Sequence, residues 1–181
     1  AQTRSKAGVS VTRQAENAEA QKRIYTCLTR EEDRHKIPRG LLFAIAKTES
    51  SFNWRASNVN SNGSMDIGVM QINSIHFTRF QHDFGITPAL MWEPCTNISV
   101  GAYILMEFVQ KYGFTWKAVA AYNTGNPDKK MGSAMAYVTK VNENLKKVQV
   151  AAKPDAGPAI NTSQLAEAAK QEDVWEFDRE Q

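Results

Sequence analysis

The spacing of apolar positions predicts a mostly helical chain. Ala20, Ile24, Cys27 and Leu28 fall on one face of a helix expected from about Thr12 to Lys36, with the charged run Arg30–Lys36 facing solvent. Leu41–Phe52 reads as a second helix, with Pro38 where a helix would begin. Leu42, Ile45, Ala46 and Glu49 recur at i, i+3, i+4 and i+7, so the Glu49 carboxylate shares the stripe that faces the core. Asn53–Ser64 is rich in Asn and Ser and contains Asn62-Gly63, a tight-turn signal. A small β-hairpin over Asn58–Ile67 follows, with Asp66 on its return strand. Gly68 is then expected at a close backbone approach or a positive φ.

Farther along, Asn73–Phe84 reads as a helix with Phe77, Phe80 and Phe84 on one face and Gly85 as its cap. Ile86–Cys95 is a connector holding Trp92. Asn97 is expected to cap a strong helix, with Ile98, Ala102, Leu105 and Val109 at helical spacing and Gly113 at its end. Thr115–Tyr122 is a short helix closed by Asn123-Thr124-Gly125. Ser133 is expected to cap a last helix, buried along Ala134, Val138, Val141, Leu145 and Val148.

The ends read differently. Ala1–Ser10 is polar and expected to be disordered. Ala151–Ser163 contains Pro154, Gly157 and Pro158 and reads as a linker, and Gln164–Glu176 as a short helix ending near Trp175 and Phe177. The expected organisation is a flexible segment over 1–19, a helical body over 20–150, and a linker and tail over 151–181.

Composition narrows the function classes. A hydrophobic content of 42% in 181 residues is enough for one real core. The net charge of +3 suits approach to an anionic polymer without identifying one. No concentrated Lys/Arg block or zinc spacing points to nucleic acid, and no run of 18 apolar residues would span a membrane. His35, His76 and His82 show no ligand spacing with the cysteines, so neither a metal nor another cofactor is expected. The chain begins at Ala1, as a processed export product or a trimmed chain would. Its two cysteines, Cys27 and Cys95, suit either one disulfide in an oxidising compartment or two buried thiols. Glu49 carries the candidate chemistry. Desolvation on an apolar stripe disfavours the charged carboxylate and shifts it toward a general acid, whereas a frayed helix end would leave it an ordinary exposed glutamate.

Three motifs bear on that choice. Thr48-Glu49-Ser50-Ser51-Phe52-Asn53, then Asn62-Gly63-Ser64-Met65-Asp66-Ile67-Gly68-Val69-Met70-Gln71-Ile72-Asn73, then Ala120-Ala121-Tyr122-Asn123-Thr124-Gly125 resemble, in order, the lytic transglycosylases of the soluble-lytic-transglycosylase (SLT) family. The resemblance covers roughly Cys27–Val148. It is nearest to the small members that accompany conjugation, type III and type IV secretion and pilus machines. It implies a mainly α (α+β), lysozyme-like fold with a small β-hairpin beside a glycan cleft. It also implies an exported, periplasmic enzyme that cuts the β-1,4 bond between N-acetylmuramic acid and N-acetylglucosamine in peptidoglycan, and a Cys27–Cys95 disulfide.

By the same resemblance Glu49 is the single acid/base. It protonates the leaving oxygen and then takes the proton of the sugar's own C6 hydroxyl as a 1,6-anhydro ring closes. Asp66 departs from many family members and resembles the second carboxylate of animal c-type lysozymes, the type case of two-carboxylate glycoside hydrolysis. Its alternative is a turn cap. Ser50 would bond Glu49 or position substrate. Gln71 and Asn73 would meet acetamido groups or buttress the loop, and Met70 would floor the cleft or simply fill core. Tyr122 would place its hydroxyl near Glu49 and Asn123 would contact glycan. Trp54, Trp92 and Trp116 are candidates for stacking on sugars or for core. Two other functions stay open: a hydrolytic muramidase using Glu49 and Asp66, and a wall-binding assembly module. In the latter, the tail with Trp175 and Phe177 docks on a component of a secretion or conjugation apparatus.

Overall fold

The computed structural model describes residues 6–151. The expected linker, the tail helix over Gln164–Glu176, Trp175 and Phe177 lie outside the described residues, as does the start of the N-terminal segment. The chain is mainly α with one small sheet, in the order α1 (Lys6–His35), α2 (Leu41–Ser50), β1 (Ser57–Val59), β2 (Met65–Ile67), β3 (Ile72–Asn73), α3 (Phe77–Phe84), α4 (Pro94–Tyr112), α5 (Trp116–Thr124) and α6 (Met131–Ala151). Short 3-10 turns lie at Ser74–His76 and Leu90–Trp92. Helix α1 begins at Lys6, ahead of the expected Thr12 and inside the stretch expected to be disordered. The described residues form two compact units, 6–31 with 49–101, and 32–48 with 102–151.

The first unit holds the sheet. Strands β1, β2 and β3 are antiparallel in that order, with Asp66 opposite Asn58 on one side and Asn73 on the other. The hairpin and the place of Asp66 on its return strand match the Asn62-Gly63 signal. The third strand is not predicted by the sequence pattern; it overlaps the expected Asn73–Phe84 helix at Asn73 alone, and that helix starts only at Phe77. Ile24, Leu28, Ile67, Val69, Met70, Ile72, Phe80, Met91 and Ile98 form the buried centre of this unit. Phe80 stacks on Phe84 with ring centroids 5.5 Å apart, and Gly85 closes α3 at φ 66°. Helices α1 and α4 are joined by the Cys27–Cys95 disulfide. Around it, Arg23 Nη2 pairs with Glu93 Oε1 at 2.7 Å, and the Ser99 hydroxyl donates to Glu31 Oε1 at 2.8 Å.

In the second unit Leu42, Ile45 and Ala46 of α2 are fully buried, as their spacing requires. Helix α5 packs on α6, whose Ala134, Val141 and Leu145 are buried. Thr115 caps α5 by accepting from the Ala118 amide. Asn144 Nδ2 donates to Thr48 Oγ1 at 3.0 Å, which ties α6 to α2.

Four expectations need correction. Pro38 lies before the turn that precedes α2 rather than at its first residue. Ser133 lies inside α6, not at its cap. Asn97 lies inside α4, which begins at Pro94. There Glu93 provides the cap: its Oε2 accepts from the Thr96 amide at 2.7 Å and from the Thr96 hydroxyl at 3.0 Å. Finally, Arg30–Lys36 is not wholly solvated, because Glu31 and Glu32 are both buried. Charge alone predicts a solvated surface for this run. The chain turns back at Lys36 (φ 56°), and Ile37–Leu42 then covers Glu32.

Candidate active site

Glu49 sits half-buried in the last turn of α2. The helix stops one residue later because Ser51 (φ 53°) and Phe52 (φ 64°) both enter the left-handed region. A residue with a Cβ does so at a cost of about 1–2 kcal/mol. The Phe52 ring is held edge-on against Tyr25 of α1, with centroids 5.2 Å apart. Ser50 donates its hydroxyl proton to the Val69 carbonyl at 2.7 Å. That bond latches the helix end to the loop, and a hydroxyl has one proton, so Ser50 has only lone pairs left for Glu49.

The loop after β1 is built by its own side chains. Asn60 and Ser64 close the turn through a backbone bond of 2.8 Å, and Asn62 Oδ1 accepts from the Ser64 amide and hydroxyl at 3.0 and 2.8 Å. Half-buried Asp66 accepts from Asn73 Nδ2 at 2.7 Å on one oxygen and from Asn60 Nδ2 at 2.9 Å on the other. Asn73 also donates to Ser64 Oγ at 3.1 Å, and its carbonyl oxygen caps the following 3-10 turn through the Ile75 amide. Gln71, at φ 48°, donates Nε2 to the carbonyls of Gly68 and Ala56 at 2.9 and 3.3 Å. The amides of both Gln71 and Asn73 are thus engaged in buttressing the loop. Met70 is fully buried against Gly101 of α4, where an added Cβ would come within 2.8 Å of the Met70 Cβ.

Asn97 is the residue that fixes this loop, and its role was not legible in the sequence. Its side chain is buried and meets three backbone groups. Oδ1 accepts from the Met70 amide at 2.8 Å, and Nδ2 donates to the carbonyls of Ile67 and Met91 at 3.0 and 2.9 Å. Gly68 lets it do so. At φ 78° an added Cβ would lie 2.6 Å from Asn97 Cγ. The close approach expected at this glycine is therefore made by the Asn97 side chain.

At the start of α2 the buried Glu32 carboxyl accepts from the amides of Gly40 and Leu42, both at 2.9 Å. Burial pushes it up to about 7, against the opposing pull of those amides and of the Arg39 guanidinium. Glu93 behaves oppositely. Burial works against its charge, but the Thr96 amide and hydroxyl, the Cys95 amide and Arg23 together hold it below the ordinary carboxyl range.

In the second unit, Tyr122 is half-buried and Asn123 exposed in the last turn of α5, which Gly125 closes at φ 69°. Trp54, Trp92 and Trp116 are all half-buried, and the Arg55 guanidinium lies over the Trp54 ring at 4.2 Å.

Comparison with known proteins fits the motif order. Residues 26–147 match the family model described as the transglycosylase SLT domain. The chain is 41% identical over 115 residues to Protein IpgF of Shigella flexneri, covering 64% of this chain and 76% of that protein. It is 40% identical over 124 residues to the Invasion protein IagB of Salmonella typhi, covering 68% and 77%. To an X polypeptide of Escherichia coli it is 34% identical over 139 residues, covering 72% and 82%.

Proposed function

The chain belongs to the transglycosylase SLT family, and from that premise we propose that Glu49 is its single acid/base. A lytic transglycosylase acts on peptidoglycan. In the proposed cycle the protonated Glu49 gives its proton to the glycosidic oxygen between N-acetylmuramic acid and N-acetylglucosamine as that bond breaks. The carboxylate then accepts the C6 hydroxyl proton of the muramic acid while that oxygen bonds to C1. The product is a 1,6-anhydro end, the carboxyl is protonated again, and no water is consumed. The observation that carries this reading is the placement of Glu49. It is half-buried at the end of an apolar helix whose next residue bonds the loop backbone.

Ser50 positions the acid by holding the helix end on the loop. Gln71, Asn73 and Met70 support the loop from within, and Tyr122 and Asn123 contact glycan. For Asp66 the bonds to Asn60 and Asn73 favour a part in shaping the hairpin. A second reading, hydrolysis with Asp66 as partner carboxylate, keeps the same acid. The two differ in product. With peptidoglycan as substrate, the parent is expected to leave 1,6-anhydromuramic ends, and Glu49→Gln to lose at least about 10²-fold in activity. Reducing muramic ends from the parent would establish hydrolysis instead, and undiminished activity of Glu49→Gln would remove Glu49 from the chemistry.

The setting we infer is the periplasm, where the Cys27–Cys95 bond would persist. We propose that the activity opens the wall locally for an envelope-spanning apparatus; the match to the SLT family and to a protein named for invasion is what supports this setting. Among the described residues no helix is long and apolar enough to cross a membrane.

A further inference from the structure

Helix α2 carries Glu49 at its end but brings no side-chain cap to its start. Gly40, the residue before Leu41, has no side chain, and the first turn contains no acidic residue. The acceptor comes from α1. Glu32 Oε1 takes the Gly40 and Leu42 amides at 2.9 Å each, while the Pro38 carbonyl takes the Leu41 amide at 3.0 Å. The Phe43 amide also acts on the carboxyl. Glu32 is only 1% exposed. Its other oxygen lies 3.6 Å from Arg39 Nη1 and accepts no hydrogen bond, and Arg39 in turn pairs with Asp33.

A buried acid is a costly way to fill space, since an apolar side chain of similar volume would serve as well or better. What an apolar side chain cannot do is accept the N–H groups at a helix start. We propose that Glu32 is a positioning residue for Glu49: by clamping the first turn of α2 it fixes the rotation and height of the helix that presents the acid at its other end. The inference rests on the reading of Glu49 as the acid/base. Helix α2 has ten residues, so it is about 15 Å long and stiff enough to carry a shift from one end to the other. The far end is pinned separately by the Ser50–Val69 bond. Between these ends the buried stripe and the Asn144–Thr48 bond hold the body of the helix, so loss of the Glu32 clamp frees its first turn.

The test uses the full chain, soluble peptidoglycan strands, and amide hydrogen exchange. In Glu32→Ala, exchange at Gly40 and Leu42 is expected to quicken at least about tenfold, since the cap is gone. Turnover is expected to fall at least about tenfold with KM changed less than about twofold, because the acid is displaced while the glycan contacts remain. Glu32→Gln, which keeps a carbonyl oxygen for both amides, is expected to restore turnover to within about threefold of the parent. Should Glu32→Ala not fold, Glu32→Asp, shorter by one methylene, is expected to show the same turnover loss. Turnover in the folded fraction of the Ala or Asp variant equal to the parent's would overturn the proposal, as would Glu32→Gln turning over as slowly as Glu32→Ala. Persistent activity of Glu49→Gln in parallel would instead overturn the acid assignment, leaving the exchange data to judge the cap alone.

Discussion

Glu32 is buried where Glu49 is only half-buried, and it is Glu32 that makes a prediction about pH. Its folded-state pKa of about 7 lies above the ordinary 4.5. Between those values the folded chain keeps a proton that the unfolded chain has released. The contribution is therefore full below about pH 4.5 and is lost as the pH rises toward 7, at up to about 1.4 kcal/mol per pH unit. Urea unfolding of the parent and of Glu32→Gln across this window should show the fall in the parent and a flatter profile in the variant. An identical fall in both would place the titration elsewhere. Arg30–Lys36 hid this residue because charge periodicity says nothing about a chain that turns back over its own helix. The stripe Leu42, Ile45, Ala46 that leads to Glu49 was legible, because it is a local pattern; the three are buried and Glu49 beyond them is half-buried.

Among the elements, the loop over 60–73 shows how far local pattern reaches. Asn62-Gly63 announced the hairpin and Gly68 announced a tight approach, since both are backbone requirements written in one or two residues. The loop's anchor comes from Asn97, about thirty residues away, whose polar side chain at a helix start looked like an ordinary cap. No local rule distinguishes an asparagine that caps its own helix from one that serves another segment. The third strand, Ile72–Asn73, was missed for a related reason: two residues carry no periodicity, and only pairing with β2 defines them. Asn97→Leu is expected to remove the three hydrogen bonds that this side chain makes with the Met70 amide and the Ile67 and Met91 carbonyls, at about 1–3 kcal/mol each before relaxation. We expect a net loss of at least about 3 kcal/mol by chemical denaturation. A loss under about 1 kcal/mol would mean that the loop is held by other contacts.

For the molecule as a whole, the helical class and the order of the helices follow from hydrophobic spacing, while the third strand and the division into two compact units do not. That division depends on which faces of α1, α2 and α4 meet which neighbours, and all three helices contribute to both units. The disulfide adds a measurable share of stability. It closes a loop with a sequence separation of 68, so Cys27→Ser with Cys95→Ser should cost about 2–4 kcal/mol. Retention of the parent's midpoint in denaturant would show that the Arg23–Glu93 and Glu31–Ser99 contacts suffice without it.

That covalent tie also simplifies maturation. Six thiols admit fifteen arrangements and four admit three, but the two in this chain admit one. Any oxidant that removes two electrons from Cys27 and Cys95 yields the native link. Within these 181 residues no mispaired isomer can form.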